Sequence, residues 1–268
     1  MYPQGNRTQG QAQPDHQPWP AAACGSGGLE GVGGWHHQQG LGLVWRALLC
    51  SNPSVSLPVP RVACVVVTYN GRDLVLQALA SLRSMTYARF DLVVVDNGST
   101  DGSEAAVHAA FPEITVWRCE QNAGSAAGYS LGLERALALG YDYVLLLNND
   151  IEVQADMLDH LVRVAESNSS IGCVGPKCYY FSDRRRLWSA GGILRFRESV
   201  TRERGYQEID QGDFDRDQEV PYINGCAILI RRRAALAVGG WDPLFFVCVD
   251  DADYCTRLRR AGWKCFFA

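Results

Sequence analysis

Three groups of side chains in this 268-residue chain have the types and spacing to do chemistry. The first is Asn148-Asn149-Asp150, which follows the apolar run Tyr143–Leu147. A carboxylate beside amides at a strand end can hold a hard divalent cation, Mg²⁺ or Mn²⁺. Such an ion takes few protein ligands and completes its shell with phosphate oxygens and water. The second is Asp250-Asp251, with Asp253 close by. Acids entering a helix can also be plain N-terminal charges that favour the macrodipole. The third is Asp96-Asn97-Gly98-Ser99-Thr100-Asp101. One reading is a turn with Ser99 and Asp101 capping the next helix; the other has Asp96 accepting a hydrogen bond from a nucleobase N–H. Asn122-Ala123-Gly124 and Gly128 add a loop that lets a ligand approach the backbone closely.

The surrounding pattern supplies elements to carry these groups. Val62–Val67 is a mostly β-branched apolar run, as expected of a parallel strand buried on both faces. Leu74, Leu76, Leu79 and Leu82 follow at roughly helical spacing. Strands are expected at Leu92–Val95, Ile114–Cys119 and Tyr143–Leu147, and helices after Asp101 to about Phe111, over Ala126–Leu139 and over Asp156–Glu166. This β-α alternation predicts an α/β fold, a mostly parallel central sheet with helices on both faces. Thr68, Asp96 and Asn148-Asn149-Asp150 fall at the C-terminal ends of three strands, the edge where open α/β sheets bind ligands. The second half reads differently. Residues 177–220 are polar and irregular, Tyr222–Ile230 reads as a strand, Arg231–Val238 as a short helix, Asp251–Ala261 as a longer one, and Lys264–Phe267 as a strand at the chain end.

Composition narrows the function classes. Acids outnumber bases by 29 to 25, which excludes a strongly basic nucleic-acid binder. Residues 1–60 hold only four charged side chains (Arg7, Asp15, Glu30 and Arg46) and are rich in Gly, Gln and Pro; this segment is expected to be largely disordered. The folded domain is expected over 61–268. No two of the ten cysteines have C-x-x-C spacing, so spacing gives no zinc site, and the thiols read as small core residues in a reducing compartment. No apolar run reaches the ~18 residues of a membrane span. The first 20 residues lack the basic start and apolar stretch of a secretory signal. A cytoplasmic location is expected, with peripheral contact at the inner face of the cell membrane as its variant. Arg184-Arg185-Arg186, Arg231-Arg232-Arg233 and Arg257/Arg259/Arg260 either face an anionic lipid surface or acceptor, or form solvated faces balanced by nearby acids.

In order, the segments VVVTYNG, LVVVDNGSTDGS, NAGSAAGYSLGLERAL, YVLLLNND, NGCAILIRR, GGWDPLFF and DDADYCTRLRRAGWK resemble family 2 glycosyltransferases of the GT-A fold, most nearly a bacterial rhamnosyltransferase- and galactofuranosyltransferase-like branch. The resemblance covers about residues 61–268. It implies a Rossmann-like nucleotide-binding half over about 61–150 and an acceptor-side half, with a smaller β region, over about 151–268. Thr68, Tyr69, Asn70, Asp96, Asn122, Gly124, Asn148, Asn149 and Asp150 fall where the family holds its nucleotide sugar, with Asp150 the principal metal contact. Asp251 falls on the family's catalytic base, and Asp250 takes the place of the Glu before it. Asn224, Gly225, Trp241 and Asp242 fall on the acceptor side.

The implied reaction is an inverting, metal-assisted transfer from a UDP- or dTDP-sugar to a glycan or lipid-linked saccharide in cell-surface polysaccharide synthesis. Three departures stand out. Asn148 replaces the first metal-motif acid, Tyr129 replaces a small polar residue, and the family's further strand, which often carries a His, is expected beyond Ala268. A protein that binds nucleotide sugar without turnover and a sugar-phosphate nucleotidyltransferase are the competing readings. The second wants a Gly-rich, basic phosphate loop that Thr68-Tyr69-Asn70-Gly71 lacks. A dinucleotide oxidoreductase wants G-x-G-x-x-G there, which is also absent.

Overall fold

The computed structural model describes residues 58–195, 197 and 199–268. The expected low-charge segment lies almost wholly outside them. In chain order the elements are β1 (Val62–Thr68), α1 (Arg72–Leu82), β2 (Phe90–Asp96), α2 (Ser103–Ala110), β3 (Thr115–Arg118), α3 (Ser125–Ala138), β4 (Tyr143–Asn148), α4 (Met157–Ser167) and β5 (Ile171–Gly175). They continue with β6 (Cys178–Tyr180), β7 (Asp183–Ser189), β8 (Gly192–Arg195), β9 (Ser199–Glu203), β10 (Gln218–Glu219), β11 (Ala227–Arg231), α5 (Arg232–Val238), α6 (Asp250–Arg260) and β12 (Lys264–Phe267).

Eight strands form one sheet in the order β10-β12-β5-β11-β4-β1-β2-β3. The pairs β1–β2, β1–β4, β2–β3 and β5–β12 are parallel, while β11 runs antiparallel to both β4 and β5. Alternate residues of β1 enter opposite cores, which is why its sequence is apolar throughout. Ala63 and Val65 pack with Leu133 of α3 and Leu258 of α6. Val62, Cys64 and Val66 pack with Leu79 of α1 and Leu158 of α4. Gly128 and Gly132 let α3 lie close on the sheet, since a Cβ there would sit 2.7 and 2.6 Å from Val67 and Val65.

Two parts of the second half differ from the expectation. Residues 177–220 are irregular only in part: β6 pairs with β7, and β8 with β9, while 204–217 hold no strand or helix. These strands are short, charged and broken by register shifts, so they leave no period-2 apolar signal. The strand expected from Tyr222 starts only at Ala227, because the Asn224 side chain accepts the Cys226 N–H at 3.0 Å and turns the chain. Strand β5 carries two glycines, yet all five of its residues are buried. A Cβ on Gly175 would meet Ile223 at 2.0 Å, so that glycine lets the turn pack against the sheet.

Candidate active site

The parallel register aligns the polar strand ends. Thr68 lies opposite Asp96, and Val67 opposite Asn148. The Asn149 amide donates to Thr68 Oγ1 at 2.8 Å. Gly71 makes room for it, since a Cβ there would fall 2.2 Å from Asn149 Nδ2. Asn70 takes a left-handed backbone, φ 49°, and its side-chain oxygen receives the Thr100 N–H at 2.8 Å. Tyr69 stands exposed beside it.

Asp96 is fully buried, with Oδ1 accepting the Ser99 N–H at 2.7 Å and Oδ2 paired with Arg118 at 2.9 Å. Ser99 does not cap α2; its hydroxyl accepts the Asn70 N–H at 3.0 Å, while Asp101 Oδ1 receives the Ser103 N–H at 3.0 Å. Asn122 Oδ1 receives the Gly124 N–H at 2.9 Å and the Asn97 amide at 3.1 Å. Gly124 has φ 90°, and a Cβ there would strike the Phe246 carbonyl oxygen at 2.3 Å.

At the end of β4 the three polar residues separate in role. The Asn148 side-chain oxygen is taken by the Tyr129 hydroxyl, and Asn149 is turned to Thr68. Asp150 alone is exposed and joins no ion pair among the described residues. A single free carboxylate suits Mg²⁺ or Mn²⁺, whose remaining ligands are phosphate and water. Tyr129 thereby gains a purpose that its departure from the family pattern concealed.

Asp250 and Asp251 open α6 directly after Cys248 and Val249, both left-handed at φ 71° and 63°. Asp250 is 7% exposed, accepts from Ser125 Oγ at 3.3 Å, and is pushed up by burial. Asp251 accepts the Gly225 N–H at 2.8 Å on Oδ2 and the Ala252 N–H at 2.7 Å on Oδ1. No cation among the described residues pairs with it, and burial pushes its carboxyl up to about 7 against the pull of those two amides. A carboxyl raised this far can take up a proton near neutrality.

Of the residues expected on the acceptor side, Gly225 holds Asp251 and Asn224 shapes the same turn. Asp242 closes a turn through the Leu244 N–H at 2.9 Å. Trp241 is instead interior: it is 4% exposed, its ring is stacked 3.8 Å from that of Tyr254, and its backbone N–H donates to Ser130 at 2.8 Å. Its apolar area is better spent under the site than at its surface.

Motif reading missed Arg118 and Glu203, because neither stands in a recognisable motif; only the fold brings Arg118 to Asp96 and Glu203 to Asn224. The spacing argument on cysteines also missed that β5, α6 and β12 gather Cys173, Cys255 and Cys265, with sulfurs within 4.8 Å of one another. They lie in the apolar core with Ile230 and Leu258, as small core residues do. Among the described residues, five of the nine arginines in the clusters form ion pairs: Arg184 with Glu152, Arg185 and Arg186 with Asp183, Arg231 with Glu166 and Arg257 with Asp253. No helix among the described residues is long and apolar enough to cross a membrane.

Comparison with known proteins bears on the family and the fold. The family model for glycosyl transferase family 2 matches residues 63–239. The N-acetylglucosaminyl-diphospho-decaprenol L-rhamnosyltransferase of Mycobacterium tuberculosis is 26% identical over 224 residues, covering 74% of this chain and 70% of the relative. The galactofuranosyltransferase GlfT1 of the same species is 32% identical over 207 residues, covering 75% and 65%. The fold is that of the mannosyltransferase PcManGT from Pyrobaculum calidifontis, solved with GDP-Man and Mn²⁺ (TM-score 0.56, 22% identity, 78% of this chain and 55% of that one). It is also that of GalNAc-T7, solved with UDP, GalNAc and Mn²⁺ (TM-score 0.63, 17% identity, 78% and 42%). The chain thus spans about half the length of these solved structures.

Proposed function

From the premise that the chain belongs to glycosyl transferase family 2, and is a glycosyltransferase, we propose that it transfers a sugar from a nucleotide diphosphate donor, UDP- or dTDP-linked, to a glycan or lipid-linked saccharide acceptor in cell-surface polysaccharide synthesis, with inversion. The observation that carries the reading is Asp251: a half-buried carboxylate held by two backbone amides, with no cation partner among the described residues, and pushed up to about 7. Such a group accepts a proton from an acceptor hydroxyl and holds it through the transfer. General-base assistance of this kind contributes ~10²–10⁴-fold.

The donor lies along the edge of β1, β2 and β4 in this reading. Tyr69, Asn70, Asn122 and Gly124 line the base and ribose side over the buried Thr68 and Asp96, and Asn148-Asn149-Asp150 line the diphosphate side. Arg118 neutralises Asp96 and fixes its Oδ2, and the Tyr129 hydroxyl fixes Asn148. Asp150 would hold a divalent cation, which when bound supplies Lewis-acid stabilisation of the diphosphate. Asp251 deprotonates the acceptor on the opposite face of the anomeric carbon, so one displacement inverts the configuration. Asp250, buried beside it, adds a carboxylate that keeps Asp251 basic. Asn224 and Gly225 shape the acceptor side.

A donor-panel hydrolysis and transfer assay tests the reading, using UDP- and dTDP-sugars with and without EDTA and following the product anomer by NMR. The expected result is cation-dependent turnover of one donor with inverted configuration. Nucleotide-sugar binding with no turnover on any donor and acceptor, or a retained anomer, would overturn it.

A further inference from the structure

Glu203, the last residue of β9, accepts three hydrogen bonds from neutral side chains. Tyr222 Oη donates at 2.7 Å and Asn224 Nδ2 at 3.2 Å to Oε1, and the Ser189 hydroxyl donates to Oε2. Tyr222 and Ser189 are almost fully buried, so this is a built cradle rather than a surface contact. The chain of contacts then runs inward. Asn224 Oδ1 accepts the Cys226 N–H at 3.0 Å and so fixes the turn. The middle residue of that turn, Gly225, donates its N–H to Asp251 at 2.8 Å. On its other flank the Cys226 carbonyl accepts the Asn148 N–H at 3.1 Å, at the strand end that leads to Asp150.

We propose that Glu203 is a positioning residue for Asp251, acting through Asn224 and the Gly225 amide, and so sets the placement of the general base against the donor edge. The inference rests on the reading of Asp251 as that base. The physical reason for a carboxylate here is its acceptor capacity. One rigid amide side chain, Asn224, must use its oxygen inside the turn, so its NH₂ needs an acceptor from outside, and Glu203 provides it while also satisfying the buried Tyr222 and Ser189 hydroxyls. Without it, the turn loses its outer anchor and Gly225 loses its fixed aim. Asp251 would then keep the Ala252 amide but lose part of the hydrogen bonding that opposes its burial. The other titratable groups facing Asp251 are Asp250 and Cys255 on α6, Tyr129 on α3 and Tyr222 before β11.

Two substitutions of Glu203 separate positioning from direct contact. Glu203→Gln keeps an oxygen for Tyr222 and Asn224, and its amide can donate to Ser189; Glu203→Ala removes all three bonds. Positioning predicts that Glu203→Ala lowers kcat by about 10- to 100-fold, the scale of a small misplacement of a catalytic group. It also predicts a donor KM within about twofold of wild type and an acid limb of kcat/KM moved to higher pH, whereas Glu203→Gln stays within about threefold in kcat.

If Glu203→Ala fails to fold by circular dichroism, Asn224→Ala cuts the same link and must show the same limb shift. Unchanged kcat and limb in the variant that cuts the link overturn the proposal. So does a Glu203→Gln loss as large as that of Glu203→Ala, with acceptor KM raised and the limb unmoved. Asp251→Asn is assayed alongside. Near-wild-type transfer in that variant sinks the base reading itself, whereas an inactive Asp251→Asn with a normal Glu203→Ala sinks only the role of Glu203.

Discussion

Asp96 is fully withdrawn from solvent and Asp251 partly so, and the two ends of the site treat them in opposite ways. At the parallel edge, Asp96 has a cation at 2.9 Å and an amide at 2.7 Å, and its surroundings come from β2, β3 and the loop just after them. Across the site, Asp251 has two amides and no cation among the described residues, and burial pushes it up to about 7. The same side chain is thus an anchored anion in one place and a proton acceptor in the other. The difference lies in charge compensation: the deeper acid has a cation beside it, and the half-buried one has only amides to oppose its desolvation. A fixed, buried anion suits holding the donor edge in shape; an uncompensated one suits proton transfer.

The largest effect should come from the uncompensated acid. Asp251→Asn keeps the shape and cannot take a proton, so kcat should fall ~10²–10⁴-fold. Donor affinity by calorimetry should stay within about twofold; a matching loss of donor affinity would mean that the two acids do not divide the work. At the compensated acid the effect should be on stability. Arg118→Leu leaves Asp96 buried without its partner and should cost about 1–3 kcal/mol in urea unfolding, held to that range because Arg118 is 41% exposed. A cost below about 0.5 kcal/mol would break the contrast. Smaller still is Gly71→Ala, whose new Cβ displaces the Asn149 amide from Thr68. Donor KM should rise about tenfold, the scale of one lost hydrogen bond. An effect on kcat instead would put Asn149 on the acceptor side of the comparison.

The same contrast explains how much could be read from the chain. At the parallel edge the signals are local. A β-branched run ends in a polar residue, and Asp96, Asn122 and Asp101 each accept a backbone N–H two or three positions away, although Arg118 reaches Asp96 across 22. Thr68, Asp96 and Asp150 could therefore be assigned to one edge before any coordinates. The pattern fails where contacts are long-range. Gly225 and Asp251 are 26 positions apart, and Glu203 reaches Asn224 across 21. The strands between are short and charged, so residues 177–220 read as irregular although they hold the cradle of Asn224. Trp241 sat in a recognisable segment, but nothing in the sequence says that its indole stacks inward on Tyr254 rather than facing an acceptor.

The most direct test of the account is the pH dependence of kcat/KM, which reports the ionisation of the free enzyme's groups. Asp251 must be deprotonated to act, and burial raises its carboxyl to about 7. Activity should therefore be full above neutrality and fall tenfold per pH unit below an acid limb centred near pH 7. A limb near pH 4, where an ordinary carboxylate titrates, would contradict the assignment of the half-buried, uncompensated Asp251 as the base.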